Sequence, residues 1–194
     1  MTLTELIDEV YIITSRPDAV AKTLSAVQSA TLKAHHSDFY HKDIFETQID
    51  FGFAMYEPDF EFRTFIPRWR AAKYFRKYED GVPGKFFDEI SPENAMESYS
   101  QARTEVWYPG GEVIHLKSNT QIQYVLAGCY RHPDITVASY ESWIALEHPW
   151  AIVYAAAQTI FRMTGKTEEA AAMKQEVAEH MILLRNSNIL GSGE

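Results

Sequence analysis

Cysteine is almost missing from this chain. A single one, Cys129, among 194 residues excludes an intramolecular disulfide framework and any zinc site built from several thiolates. Set in an apolar strand pattern, it reads as a buried, inert thiol. Basic residues are also outnumbered, with 18 Lys and Arg against 27 Asp and Glu for a net charge of −9. That balance excludes a chain that wraps nucleic acid over its whole surface, because phosphate binding is built on cationic contacts. No apolar run reaches the roughly 20 residues that a bilayer crossing needs, so no membrane partner is expected. Glu5, Asp8 and Glu9 stand where a secretory leader would be basic and then apolar, which points to a cytoplasmic product. Internal repeats, low-complexity tracts and the short motifs of nucleotide-binding, hydrolytic, zinc-protease and calcium-loop chemistry are all absent. The expectation is therefore no enzyme, with no catalytic residue, no cofactor and no metal.

What the chain has instead is apolar and aromatic mass, 46% and 13% of its residues. A core absorbs part of the rings, and the excess suits contact surfaces, where aromatics supply much of the binding energy. The most apolar stretch runs from Pro149 to Met163. Trp150, Val153, Tyr154, Ala157 and Phe161 form one stripe at helical spacing, and Ile152, Ala155, Ala156, Ile160 and Met163 form another. A helix apolar nearly all round is covered on several sides. Pro149 suits its first turn, Gly165 its stop, and Thr167 the start of a second helix. That second helix is amphipathic, with Met173, Val177, Met181 and Leu184 on one face.

At the other end, Leu3, Leu6, Ile7, Val10 and Ile13 define a helix opened by a Thr2/Glu5 capping box. After Pro17, the residues Val20, Leu24, Val27, Thr31 and Ala34 define another, reaching about His36. From Asp43 the period changes to two. Strands are expected over Phe45–Phe53, over Phe60–Thr64 after a turn at Glu57–Asp59, and through Arg68–Tyr78. Asp80-Gly81 and Pro83-Gly84 mark loops, Ser91–Asn94 a short helical turn, and Val106–Tyr108 with Glu112–Lys117 a hairpin about Pro109–Gly111. The last strand runs from Gln121 to Tyr130, with Ile122, Tyr124 and Leu126 alternating against Gln123, Val125 and Ala127; Ser139–Leu146 leads back into the helices. The expected fold is α+β: a four-helix bundle formed by the N- and C-terminal helix pairs, with an inserted antiparallel β module. Residues 1–42 and 139–194 would form one discontinuous helical domain, and 43–138 the insertion.

Two clusters invite a chemical reading. His35, His36, Asp38, His41 and Asp43 place three imidazoles and two carboxylates within nine residues, a set that could ligate a metal. Its position across a helix end, where His and other polar residues are favoured by the dipole, speaks instead for a local structural role. Arg68, Arg70, Lys73, Arg76 and Lys77, interleaved with Trp69, Tyr74, Phe75 and Tyr78, could track a nucleic-acid backbone, form a solvated strand face, or meet acidic residues of a neighbouring subunit. The tail from Asn186 to Glu194 has no periodicity and is expected to be mobile when alone. Its one apolar pair, Ile189-Leu190, lies beside Asn186 and Asn188.

The layout resembles the head-to-tail adaptor (connector) proteins of tailed bacteriophages. The likeness is carried by Leu3-Thr4-Glu5-Leu6, by the Ala30–Asp43 run, and by Ile90-Ser91-Pro92-Glu93. Above all it rests on His148-Pro149-Trp150-Ala151-Ile152-Val153-Tyr154-Ala155-Ala156-Ala157 with Gly165-Lys166-Thr167-Glu168-Glu169-Ala170-Ala171. It implies a structural virion protein, made in the host cytoplasm and placed at the head–tail interface. Such a protein forms a ring of about twelve copies beneath the portal, touches portal and tail proteins, and lines a channel through which DNA passes without sequence-specific binding. Asn186, Asn188, Ile189 and Leu190 would be the portal-docking tail. The alternatives are a tail-completion or tail-tube ring protein, and a small metal-dependent α+β enzyme using the His35–Asp43 cluster.

Overall fold

The structure is a computed structural model that describes residues 1–79, 81–97 and 104–190. In chain order the elements are α1 (Leu3–Thr14), α2 (Val20–His36), β1 (Ile44–Met55), β2 (Asp59–Glu61), α3 (Phe62–Phe65), β3 (Trp69–Glu79), β4 (Val82–Phe86) and β5 (Asp88–Glu89). There follow α4 (Pro92–Glu97), β6 (Val106–Gly110), β7 (Val113–Lys117), β8 (Ile122–Arg131), α5 (Trp143–Glu147), α6 (Pro149–Met163) and α7 (Thr167–Leu190). The chain divides into two compact units, Met1–Asp43 with His132–Glu194, and Ile44–Arg131. None of the described helices is long and apolar enough to cross a membrane.

The helical unit is organised around α6. Ala151, Ile152, Val153, Ala156, Ala157, Ile160 and Phe161 are all buried, so the helix is covered on several sides as its composition requires. Each large aliphatic chain among them stabilises the fold by about 1.5–3 kcal/mol. Met163 is 60% exposed, so the second stripe ends one turn earlier than its spacing suggested. Gly165 closes the helix with a φ of 76°, a conformation that costs glycine nothing. At the N-terminus the expected capping box is present: Thr2 Oγ1 accepts from the Glu5 amide at 3.3 Å, and the Thr2 amide donates to Glu5 Oε2 at 2.8 Å. In α2, Thr23, Ala26, Val27, Ala30, Thr31 and Ala34 face inward, and Val20 does not.

The α+β composition stands, but the four-helix bundle does not. In a bundle each helix borders two others about a common axis. Here α6 is a hub on which α1, α2, α5 and α7 all pack, and α6 is the main partner of α7. The physical reason lies in the composition of α7. Ala170 and Leu184 are buried, whereas Ile182 and Leu183 are 58% and 55% exposed, so α7 has too little inward surface to close a bundle. A fifth helix, α5, also packs on α2 and α6.

The β unit is likewise more than one module of antiparallel strands. Its strands form two four-stranded sheets, ordered β1-β8-β3-β4 and β2-β7-β6-β5, and β5 runs parallel to β6. Phe60, Phe75, Phe87, Trp107, Ile114, Leu116 and Val125 from the two sheets share one apolar core. Phe75 sits at its centre, with ring centroids 5.8 Å from Phe60 and 4.9 Å from Trp107. Two local expectations fail here. Phe62–Phe65 is a single helical turn and not the end of a strand, and Pro83-Gly84 lies within β4. In β8 the deeply buried alternating set is Val125, Ala127 and Cys129, and Ile122 is buried as well. Central strands carry apolar residues on both faces, so alternation alone does not choose the core face. Gly128 has a specific reason to lack a side chain, since a Cβ there would overlap the Tyr74 ring.

Candidate functional site

The polar centre of the helical unit is a hydrogen-bonded relay of residues far apart in sequence. His35 occupies the last turn of α2 and, one residue on from Ala34, still points inward; it is 2% exposed. The chain then turns back through Tyr40 and a short helical turn at His41–Asp43, which delivers the Asp43 carboxylate to the imidazole. The Asp43 Oδ1 to His35 Nδ1 distance is 2.7 Å. On the other side of the ring, His35 Nε2 lies 2.9 Å from Ser142 Oγ. Ser142 is the N-cap of α5, and its hydroxyl also accepts the Ala145 amide at 3.2 Å. Trp143 Nε1 donates to Asp43 Oδ1 at 2.8 Å.

A carboxylate only accepts, so His35 donates through Nδ1; in the neutral tautomer that leaves Nε2 to accept from the Ser142 hydroxyl. Tyr140 extends the chain toward α2: its hydroxyl lies 2.7 Å from Thr31 Oγ1, and burial raises its pKa above the ordinary value. Tyr40, whose pKa burial also raises, pairs with Ser37 Oγ at 2.7 Å and packs its ring against Trp143 at 5.3 Å.

The order hydroxyl–imidazole–carboxylate is that of hydrolytic triads, but the setting differs. Ser142, His35 and Asp43 are 6%, 2% and 7% exposed, and the serine oxygen already caps a helix. What the arrangement does is fasten the end of α2 to the start of α5. Buried hydrogen bonds of this kind are costly to leave unmade.

The rest of the histidine-rich run is dispersed. His36 turns outward, and its Nε2 lies 2.9 Å from His132 Nδ1. Asp38 accepts the Phe39 amide at 2.7 Å. Lys42 pairs with Glu147 at 2.6 Å and stands 5.2 Å from the Trp143 ring centroid. Among the described residues, no group of three or more His, Cys, Asp and Glu side chains is placed to hold a metal ion.

The basic stretch is not one charged face. Lys77 is 9% exposed. Its ammonium lies 2.9 Å from Glu105 Oε2 and donates to Thr120 Oγ1 at 2.8 Å and Asn119 Oδ1 at 3.2 Å. Burial pushes the Glu105 carboxyl up, but the Asn119 amide and the Lys77 ammonium outweigh it and hold the pKa below the ordinary value. Glu105 takes up a φ of 64°, uncommon for a residue with a side chain. Arg76 packs 4.4 Å from the Phe86 ring centroid and donates to Gly84 O, and Lys73 lies 6.0 Å from the Tyr130 centroid. Arg68 and Arg70 flank Trp69, whose ring stacks on Phe62 at 4.7 Å. Strand register slips beside Trp69 and Ala72 distribute these cations over more than one direction.

The expected tail is partly helix. Asn186 and Ser187 continue α7, whose backbone runs to Leu190 and so includes Asn188 and Ile189; residues 191–194 lie outside the described residues. Cys129 is buried, with its thiol pKa pushed up to about 11 chiefly by burial.

Reasoning on the sequence missed Ser142, Trp143 and Tyr140 as partners of His35, and His132 as partner of His36. Only Ser142 carries a local signal, a cap residue directly before Trp143-Ile144-Ala145. No family model matches the chain, and no curated protein is significantly similar to it.

Proposed function

We propose that the chain is a head-to-tail adaptor of a tailed bacteriophage, a structural ring subunit seated between portal and tail. The observation that supports this most is the state of α7. It runs for 24 residues, yet it leaves Ile182 and Leu183 largely exposed near its C-terminal end. A long terminal helix with apolar residues unburied in the monomer suits a docking element for a partner groove. Asn186, Asn188, Ile189 and Leu190 continue it and complete the portal-docking segment. The relay of His35, Asp43 and Ser142 then has a structural part, holding rigid the platform from which α7 extends. The net charge of −9 suits a channel that must release DNA, because an acidic wall repels phosphate. Exposed rings such as Phe53 and Phe86, 67% and 53% accessible, suit contacts with neighbouring subunits or tail proteins.

The test is to mix the protein with portal rings from the same source and image the product by electron microscopy. A second ring of density on the portal is expected, and no binding to any such ring ends the adaptor reading. Deleting residues 187–194 should leave the melting temperature unchanged, since Leu184 remains, while weakening attachment, and adding Ile182→Ser and Leu183→Ser to the truncated chain should abolish it. Undiminished filling of the portal by the truncated chain would remove the docking role from the tail.

A further inference from the structure

A second polar feature of the helical unit lies outside the relay: the His36–His132 pair. His36 is the last residue of α2 and is exposed, and His132 is the first residue after β8 and is half-buried. Their rings do not stack. They meet nitrogen to nitrogen, Nε2 to Nδ1 at 2.9 Å, with planes tilted by 53° and centroids 4.8 Å apart. Imidazole nitrogens bind first-row metals at about 2.0–2.1 Å. Two such ligands with nitrogens 2.9 Å apart therefore subtend an angle of about 90° at the metal, by the bond lengths just given. A tetrahedral centre needs the nitrogens to open to about 3.4 Å on the same bond lengths. The right angle is that of adjacent positions in square-planar or octahedral coordination, the geometry of Cu(II) and Ni(II).

We propose that His36 and His132 form a surface site for a divalent cation of this tetragonal class, with Cu(II) bound most tightly and water in the remaining positions. The chain that carries each ring is anchored. His36 adjoins His35, which the Asp43 and Ser142 bonds hold in the core. His132 opens a segment fixed by the Asp134–Glu141 bridge. On binding, the imidazole that donates between the rings moves its proton to its other nitrogen, and both rings turn so that their lone pairs, which lie along the hydrogen bond, converge on a cation at the apex of the right angle. The excess of negative charge on the chain raises the local cation concentration. A bound ion would tie the end of α2 to the segment before α5 and stabilise the folded state by mass action.

The test uses the full chain without an affinity tag, titrated with Cu(II), Ni(II) and Zn(II) in a non-chelating buffer. Heat and the Cu(II) electron paramagnetic resonance spectrum are followed. One equivalent of Cu(II) with a tetragonal spectrum coupled to two imidazole nitrogens is expected, together with a rise in melting temperature. His36→Ala and His132→Ala should each lose at least about tenfold in affinity and the two-nitrogen signature, whereas His41→Ala should retain both. Circular dichroism checks that the variants are folded, and His36→Gln serves if His36→Ala is not. If the wild type binds its first equivalent no more tightly than His36→Ala/His132→Ala, the pair is a hydrogen bond only and the site is wrong. Zn(II) binding as tightly as Ni(II) would overturn the tetragonal assignment.

Discussion

The two units solve the problem of a buried polar group differently. In the helical unit, His35 sits between Asp43 and Ser142 with one carboxylate, one imidazole and one hydroxyl in line, all of them buried. In the β unit, Lys77 meets Glu105 with side chains 11% and 18% exposed, and Asn119, Thr120 and Ser118 complete the set. The first joins segments about a hundred residues apart and admits little water. The second is a nearly closed ion pair at a strand end, where solvent still screens it. A buried chain of hydrogen bonds with no water to replace a lost partner should be more expensive to break than a pair that water can reach.

The largest effect expected lies beneath the relay, in α6. Ala156→Asp puts a carboxylate without a partner at a position that is fully buried, at a cost of several kcal/mol, and should leave no cooperative thermal transition. Next comes the relay itself. Asp43→Ala removes the acceptor of both His35 Nδ1 and Trp143 Nε1. A loss of about 3 kcal/mol in urea unfolding is expected, with Asp43→Asn losing less because one oxygen remains. If Asp43→Ala costs no more than Glu105→Gln, the contrast between the units is wrong.

Gly128→Ala tests the β unit by packing instead of charge. The new methyl meets the Tyr74 ring, and about 1–3 kcal/mol should be lost. Tyr74→Ser in the same chain should restore most of that loss, a coupling that a double-mutant cycle measures. The smallest effect belongs to the ion pair. The folded-state pKa of Glu105 is lowered, so the carboxylate contributes stability above its unfolded pKa. That contribution is lost as pH falls through the lower, folded-state value. Unfolding free energies measured from neutral pH into the acid range should decline less steeply in Lys77→Met than in the wild type, by about 1 kcal/mol over the range. Parallel curves would mean that the pair contributes nothing measurable.

How far the sequence disclosed this molecule depended on the range of the interaction. Pro149, Gly165 and the Thr2/Glu5 box mark helix ends through their own backbone chemistry, and those ends stand where expected. The alternation of Phe45 to Phe53 and the turn at Gly111 are equally local, and β1 and the β6–β7 hairpin follow. Beyond a few residues the signal fails. Nothing near His35 announces Ser142, which lies 107 positions away, and nothing near Lys77 announces Glu105. The bundle expectation went wrong for a related reason. Met173, Val177 and Met181 have helical spacing, but spacing does not state how much of a face is covered, and these three are only half-buried. Asn186 and Ser187 are weak helix formers, yet α7 carries through them to Leu190.

The interruption of the helical unit also sets a timetable for its synthesis. Its first segment ends at Asp43 and its second begins at His132, so α1 and α2 leave the ribosome long before α6 exists. At about 5–20 residues per second, the wait between the end of α2 and the end of α6 is roughly 6–25 s. Throughout that interval Leu6, Val10, Val27 and Ala30, all buried in the finished unit, lack α6, the helix on which α1 and α2 both pack. The β unit, continuous from Ile44 to Arg131, is fully synthesised during the same wait and can condense first. Its folding then brings the two halves of the helical unit to within a short chain length of each other, because β1 and β8 pair from Ile44 with Tyr130 onward. Closing a loop of about ninety residues is thereby converted from a random search into a step already completed. A pause in translation just after Arg131, once β8 is complete, should accordingly raise the soluble yield, whereas destabilising β8 should lower it even though the helices are untouched.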